Sequence, residues 1–277
     1  MSRLTRWMRG GDKAPPHLPI VASELPAEPQ EPSAHLLQVP RFTPRMELLL
    51  GFPFEVADGP SFYANYQEIF EREIYRFTAS TPAPRIIDCG ANCGQSTIYF
   101  KHLYPSARIT AIEADPEIFR ILEANVARRG YADVRLLHGA VTTQSGLVKF
   151  HHEGADAGRI RELSEAMCVY EVPSVALDEL LGEPVDLLKI DIEGAETGVL
   201  CESRRLHMAA QLFVEHHGFA GDSQTLHSVL DCLQSAGFRY YLQTQFCAAR
   251  PLVEDAVHCG MDLQINVFAK RAIRGAA

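Results

Sequence analysis

The sequence predicts an α/β fold, a doubly wound parallel sheet with helices on both faces. Three observations carry that expectation. From Arg85 onward, short apolar runs alternate with segments of helical periodicity, and that alternation builds parallel βαβ units. A glycine-rich turn follows the first run, and an acidic residue closes the second, an arrangement suited to a ribose-bearing ligand. Finally, 47% of the 277 residues are apolar and 22% are charged, enough to bury a sizeable core and to exclude a wholly disordered chain.

Residues 1–44 read as a Pro-rich, flexible arm. Arg3, Arg6, Arg9 and Lys13 stand near the start, but no apolar stretch follows them, so a signal peptide is not expected. Leu4, Trp7 and Met8 suggest at most a weak amphipathic turn. Residues 14–44 hold eight of the 17 prolines, which favour extended backbone. Residues 45–84 read as a helical cap segment. Within it Ile69, Phe70, Ile74 and Phe77 predict a helix over 66–77, and Thr81-Pro-Ala-Pro84 ends the segment.

Residues 85–277 read as the main domain. Strands are expected at 85–89, 108–113, 134–138, 185–191, 211–215, 238–243 and 263–269. Helices are expected at 96–103, 116–129, from about 195, and at 222–236, where Leu226, Val229, Leu230 and Leu233 line one face before Gly237. No run of roughly 18 apolar residues predicts a membrane span. The net charge is −9 and the pI about 5.7, which argues against a nucleic-acid partner. The seven cysteines are scattered, without a CxxC pair. No disulfide framework is expected, and a reducing cytoplasm is the simpler setting.

Ligands on such sheets bind beyond the carboxyl ends of the strands. Asp88-Cys-Gly-Ala-Asn-Cys-Gly94 follows the first strand, and its small residues allow close approach to a ligand beside a helix N-terminus. Glu113, with Ala114 after it, ends the second strand 25 residues after Asp88 and can accept ribose hydroxyls. A dinucleotide site wants G-x-G-x-x-G. Here Asp88 stands in place of the first glycine, which disfavours phosphate and favours a cationic ligand such as S-adenosylmethionine. Asp191-Ile-Glu-Gly-Ala-Glu196 follows the fourth strand. Its acids can bind an ammonium, hold a metal or position a hydroxyl, and for Glu196 a helix-cap role is preferred. Glu215 and His217 face one side of the fifth strand, where histidine can accept a proton. Cys89 and Cys93 read as packing residues.

Together IIDCGANCGQS (86–96), AIEADP (111–116), DLLKIDIEGAE (186–196) and FVEHH (213–217) resemble the FkbM-type family of S-adenosylmethionine-dependent methyltransferases. The resemblance spans roughly residues 50–270, and the third stretch is the most specific. It implies a seven-stranded, class I methyltransferase (Rossmann-like) sheet with one antiparallel strand. It also implies O-methylation of a hydroxyl on a sugar, glycan or polyketide-like acceptor. By position, Asp88, Gly90, Ala91, Asn92 and Gly94 would form the cofactor loop, and Glu113 and Ala114 would hold the ribose. Asp191, Glu193 and His217 would face the reacting hydroxyl. Cys93 departs from the family's usual aliphatic residue.

His217 is the expected base, oriented by Glu215 or Asp191, with Asp191 itself the runner-up. No metal is expected, although a divalent ion on Asp191 and Glu193 is an alternative activator. The acceptor walls are expected from 58–66, 153–166 (with Arg159 and Arg161) and 244–260, which would suit a small molecule or glycan. A homo-oligomer is compatible with all of this. The competing classes are an NAD-dependent oxidoreductase and a non-catalytic cofactor-binding protein.

Overall fold

The computed structural model describes residues 32–152 and 168–271. A 3-10 turn (Ala34–Gln38) precedes a hairpin of β1 (Arg45–Leu49) and β2 (Phe52–Val56). Helix α1 (Gly59–Tyr66) then runs into a π-helical turn (Gln67–Glu71). β3 (Arg85–Cys89), α2 (Gln95–Leu103), β4 (Arg108–Glu113), α3 (Pro116–Arg129) and β5 (Val134–His138) follow. Next come β6 (Ala140–Thr142), β7 (Gly146–His152), β8 (Cys168–Ala176), α4 (Leu177–Leu180) and β9 (Val185–Ile190). The described chain ends with α5 (Glu196–Glu202), β10 (Ala209–Phe219), α6 (Leu226–Ser235), β11 (Phe238–Cys247) and β12 (Met261–Arg271).

Seven strands form the main sheet in the order β11-β12-β10-β9-β3-β4-β5. Strand β12 runs antiparallel to both of its neighbours, and the pairs from β10 to β5 are parallel. This is the expected sheet with one antiparallel strand. β3 is buried on both faces because Ile86 and Ile87 are both apolar. Ile86 packs with Tyr99, Phe100 and Phe213 on one side. Ile87 packs with Leu188, Val214 and Val229 on the other. The chain builds β4 and β5 on one side of β3 and returns to lay β9 on the other. That switch leaves a crevice at the carboxyl ends of β3 and β9.

Helix α3 shows how the local sequence sets the elements. Asp115 accepts hydrogen bonds from the Glu117 and Ile118 amides, Pro116 opens the first turn, and Gly130 closes the helix. Other elements depart from expectation. The segment 45–84, expected to be a helical cap, opens with the β1–β2 hairpin, turned at Leu50-Gly51 with both φ values positive. The helix expected over 66–77 starts at Gly59 and ends at Glu71, because Asp58 caps it from the Ser61 amide. A separate three-stranded sheet, β6-β8-β7, was not anticipated.

The described part of the Pro-rich arm buries Leu36, and the rest of the arm lies outside the described residues. So does the expected acceptor loop 153–166, with Arg159 and Arg161. No disulfide was expected, yet Cys201 on α5 and Cys232 on α6 are bonded across a Cα separation of 5.5 Å. Their 31-residue spacing gives no sign in the sequence that both helices meet on one face of the sheet. No helix among the described residues is long and apolar enough to cross a membrane.

The hairpin is tied to the main domain by Asn125 of α3. Its side chain accepts from the Glu55 amide and donates to the Glu55 and Cys93 carbonyls. Asn125→Ala leaves these buried groups unpaired and should lower unfolding stability by about 2–3 kcal/mol, read from the denaturant midpoint.

Candidate active site

The crevice holds a cavity of about 470 Å3. Its first wall is the turn after β3. The Gly90 and Ala91 amides donate to the Ile112 carbonyl, which lashes the turn to β4. The Asn92 amide donates to Glu113 Oε2 at 2.9 Å, and the Asp115 amide to Glu113 Oε1 at 2.8 Å. Burial, aided by the charge of Asp115, pushes the Glu113 carboxyl up to about 7.

Gly90 has φ +76 and packs against the backbone of Asp191, where a Cβ would stand 1.8 Å from the Asp191 carbonyl oxygen. No other residue type allows the two strand ends to meet this closely.

The second wall follows β9. Asp191 opens into the cavity. Behind it stands Lys189, 2% exposed, with Nζ 3.4 Å from Asp191 Oδ2, 3.3 Å from Asp88 Oδ1 and 2.7 Å from the Gly90 carbonyl. Burial opposes the ammonium charge, but the surrounding Tyr75, Asp191, Asp88 and Glu215 hold its pKa well above the ordinary lysine value. Glu193 (φ +54) and Gly194 (φ +96) then turn the chain into α5. Glu196 folds back beneath this turn. Its Oε1 accepts from the Ile192 amide at 3.2 Å, the Gly194 amide at 2.9 Å and His217 Nδ1 at 2.9 Å.

The third wall is the end of β10 with β12 and β11. Glu215 is hydrogen-bonded by Gln264. Burial first and Asp191's charge second push the Glu215 carboxyl up to about 8. His217 is 5% exposed, and its Nε2 lies 3.7 Å from Glu193 Oε2 and 4.0 Å from Asp191 Oδ1. Burial pulls the imidazole pKa down, but Glu193, Glu196 and Glu215 outweigh it and hold the ring protonated well above pH 6.5. Across the cavity mouth Gln245 donates to Glu68 Oε1 at 2.6 Å, which joins the π-helical turn to β11.

The fold gathers most of the residues expected from the sequence, with corrections. Gly90, Ala91, Asn92, Glu113, Ala114, Asp191, Glu193 and Glu215 line the cavity; Asp88, Gly94 and His217 do not. Asp88 was expected beside the ligand. It is fully buried and accepts from Ser96 and Thr97 hydroxyls, so it holds the turn from below. His217 was expected to be oriented by Glu215 or Asp191, but its hydrogen-bond partner is Glu196, for which a cap role had been preferred. Asp191 and Glu193 were the alternative metal pair. The donors that converge among the described residues are instead Asp191, Glu215 and His217, within 4.8 Å of one another. Gln264 and Glu196 already engage two of them, and the Lys189 ammonium stands beside the third.

Lys189, Glu68 and Gln264 were missed as site residues, and Glu196 was read as a helix cap. Only Lys189 gave a signal, as a charge set inside the apolar run VDLLKI.

The sequence profile of the Methyltransferase FkbM domain matches residues 88–240, just over half of the chain, and includes both strand ends of the crevice. The chain belongs to the FkbM methyltransferase family. Methyltransferase sdnD of Sordaria araneosa is 28% identical over 190 residues, covering 52% of this chain and 73% of that protein. The 2-O-methyltransferase NoeI of Sinorhizobium fredii is 28% identical over 141 residues, covering 43% and 57%. A crystal structure of methyltransferase FkbM from Methylobacillus flagellatus KT is 17% identical with a TM-score of 0.47, over 72% of this chain and 46% of that one. The fold assignment rests on the strand order above and not on that likeness.

Gly90→Ala should destabilise the protein by about 3 kcal/mol or more, because both the left-handed φ and the Asp191 carbonyl oppose a Cβ. Chemical denaturation beside the wild type measures it.

Proposed function

We propose that this methyltransferase carries a methyl group from S-adenosylmethionine to a hydroxyl of a sugar, glycan or polyketide-like natural product. The observation that carries the reading is the place of Asp191. Its carboxylate opens into the same crevice as the glycine turn and Glu113, with Lys189 and His217 beside it.

The residues fit the cofactor. A cavity of about 470 Å3 lies in the range of cofactor sites. Glu113 keeps lone pairs beyond the two that its amide donors use, available to ribose hydroxyls. The acidic corner suits a cationic ligand. When bound, S-adenosylmethionine supplies a methyl on a positively charged sulfur, with a neutral thioether as leaving group. The name of NoeI, a 2-O-methyltransferase, supports oxygen as the acceptor atom.

The protein's own task is to position a hydroxyl and take its proton. Asp191 is better placed for this than His217, because it borders the cavity whereas His217 stands behind it and is held protonated. Lys189 and the imidazolium keep positive charge next to the Asp191 carboxylate. Glu215, mostly protonated at neutral pH, can donate a hydrogen bond to the acceptor.

Calorimetry with S-adenosylmethionine, S-adenosylhomocysteine and NAD tests the cofactor. The first two should bind and NAD should not, and Glu113→Ala should abolish binding. Glu113 accepts ribose hydroxyls best when ionised, and its carboxyl titrates at about 7. Affinity should therefore be full above that pH and fall as pH drops through it. Binding of NAD alone would overturn the reading.

Transfer from radiolabelled S-adenosylmethionine to a panel of methyl glycosides and hydroxylated lactones tests the reaction. Asp191→Asn should lower kcat by about 10²–10⁴-fold, the usual worth of a positioned base. A larger loss in His217→Gln than in Asp191→Asn would return the base role to His217.

A further inference from the structure

We propose that Glu196 is a positioning residue, which sets the Asp191 carboxylate in the cavity wall through two routes, the turn 191–194 and the His217 ring. The contacts stand by themselves, and their consequence for catalysis rests on the methyl-transfer reading above.

An acid at the first position of a helix is ordinarily an exposed partner of the helix dipole. Glu196 is 1% exposed instead, and its carboxylate points back under the chain that precedes it. One oxygen gathers donors from two segments: the amides of Ile192 and Gly194, and Nδ1 of His217 on β10. Glu193 and Gly194 both have positive φ, and in the turn they make the two amides face one point, a concave anion site. For a residue with a Cβ that conformation is uncommon and persists where neighbours over-determine it. Here the neighbour of Glu193 is a carboxylate of the same chain, three residues on. Asp191 is the first residue of the turn so fixed.

The second route runs through the ring. With Nδ1 engaged by Glu196, His217 presents Nε2 toward Asp191 and Glu193. The charged groups around this ring come from each element packed on it. Asp191 and Glu193 lie on the turn, Glu196 on α5, Glu215 on β10 itself, and Lys189 on β9 beyond Asp191. Burial alone would neutralise Glu196, yet the ring and the Gly194 amide hold its carboxyl below the ordinary glutamate value. Glu196 does not border the cavity, so it acts on a ligand only through these neighbours.

Glu196→Gln is the test, because it keeps shape and removes charge. The amide oxygen keeps all three donors, Nδ1 included, while the negative charge that faces the ring is lost. Nuclear magnetic resonance of protein labelled at the histidine ring nitrogens reads the result. In the wild type the His217 ring should stay charged to a higher pH than a free histidine, and its neutral form should carry the proton on Nδ1. In Glu196→Gln the ring should titrate at lower pH, with the neutral proton still on Nδ1. Affinity for S-adenosylmethionine, measured by calorimetry, should stay at the wild-type value. With the glycoside or lactone that the wild type methylates best, kcat should fall by about 10–100-fold at unchanged KM, the usual cost of losing an outer-shell partner. Glu196→Asp should recover part of the loss.

A His217 ring unchanged in Glu196→Gln, or a cofactor affinity that falls in step with kcat, would overturn the proposal. Should the wild type methylate nothing in the panel, the reaction assigned above falls, and the ring measurement still decides what Glu196 holds.

Discussion

Lys189 carries a full charge at 2% exposure, and both strand ends of the crevice are built around it. A buried ammonium is tolerated only where opposite charges and acceptors surround it. Asp88 supplies one charge from β3, Asp191 supplies another from β9, and the Gly90 carbonyl accepts a hydrogen bond. Satisfying this one group brings β3 and β9 into the register in which Asp88 faces Lys189 and Cys89 faces Ile190. Gly90 then has to pass against the Asp191 backbone. The place of the glycine turn, the direction of Asp191 and the depth of the cavity floor all follow from that demand.

The electrostatics of the site are uneven for a reason. Asp191, Glu193, Glu196, Glu215 and Glu68 converge on a region whose cations among the described residues are Lys189, the His217 ring and, beside Glu68, Arg72. Excess negative charge in a half-closed space is relieved by keeping protons on Glu215 and His217 or by admitting a cationic ligand. The same acids that hold those protons therefore bias the cavity toward positively charged guests and against phosphates. A carboxylate, not a glycine, closes β3 at Asp88 in keeping with this bias, although Asp88 acts from beneath the turn.

What could be read in the sequence was what is local. β3, β4 and α3 announce themselves through apolar runs, a capping Asp115 and a closing Gly130. Positions next to strand ends followed from topology, so Glu113, Asp191 and Glu215 were placed in the crevice before any side chain was seen. What escaped depends on partners distant in sequence. The role of Glu196 is set by a histidine 21 residues away, and that of Glu68 by Gln245, 177 residues on. The β1–β2 hairpin turns on Leu50-Gly51, which lacks the asparagine or aspartate that usually marks such a turn. β6 is three residues long, too short to show a period. Cys201 and Cys232 pair only because α5 and α6 pack on each other.

The antiparallel strand has a consequence in time. β12 is the last of the described strands in chain order, yet it lies inside the sheet, between β10 and β11. Its two ladders are the most extensive in the molecule's sheet, running from Gln211↔Lys270 to Phe219↔Met261 and from Phe238↔Arg271 to Cys247↔Leu263. During synthesis β10 and β11 emerge first, β10 with one edge unpaired and β11 with no strand beside it. Gln264, which holds Glu215, arrives with β12. The Glu215 side of the crevice is therefore sealed late, by a non-local closure that is slow by nature, and a nascent chain stopped short of this strand would have the Gly90 wall without the Glu215–Gln264 wall.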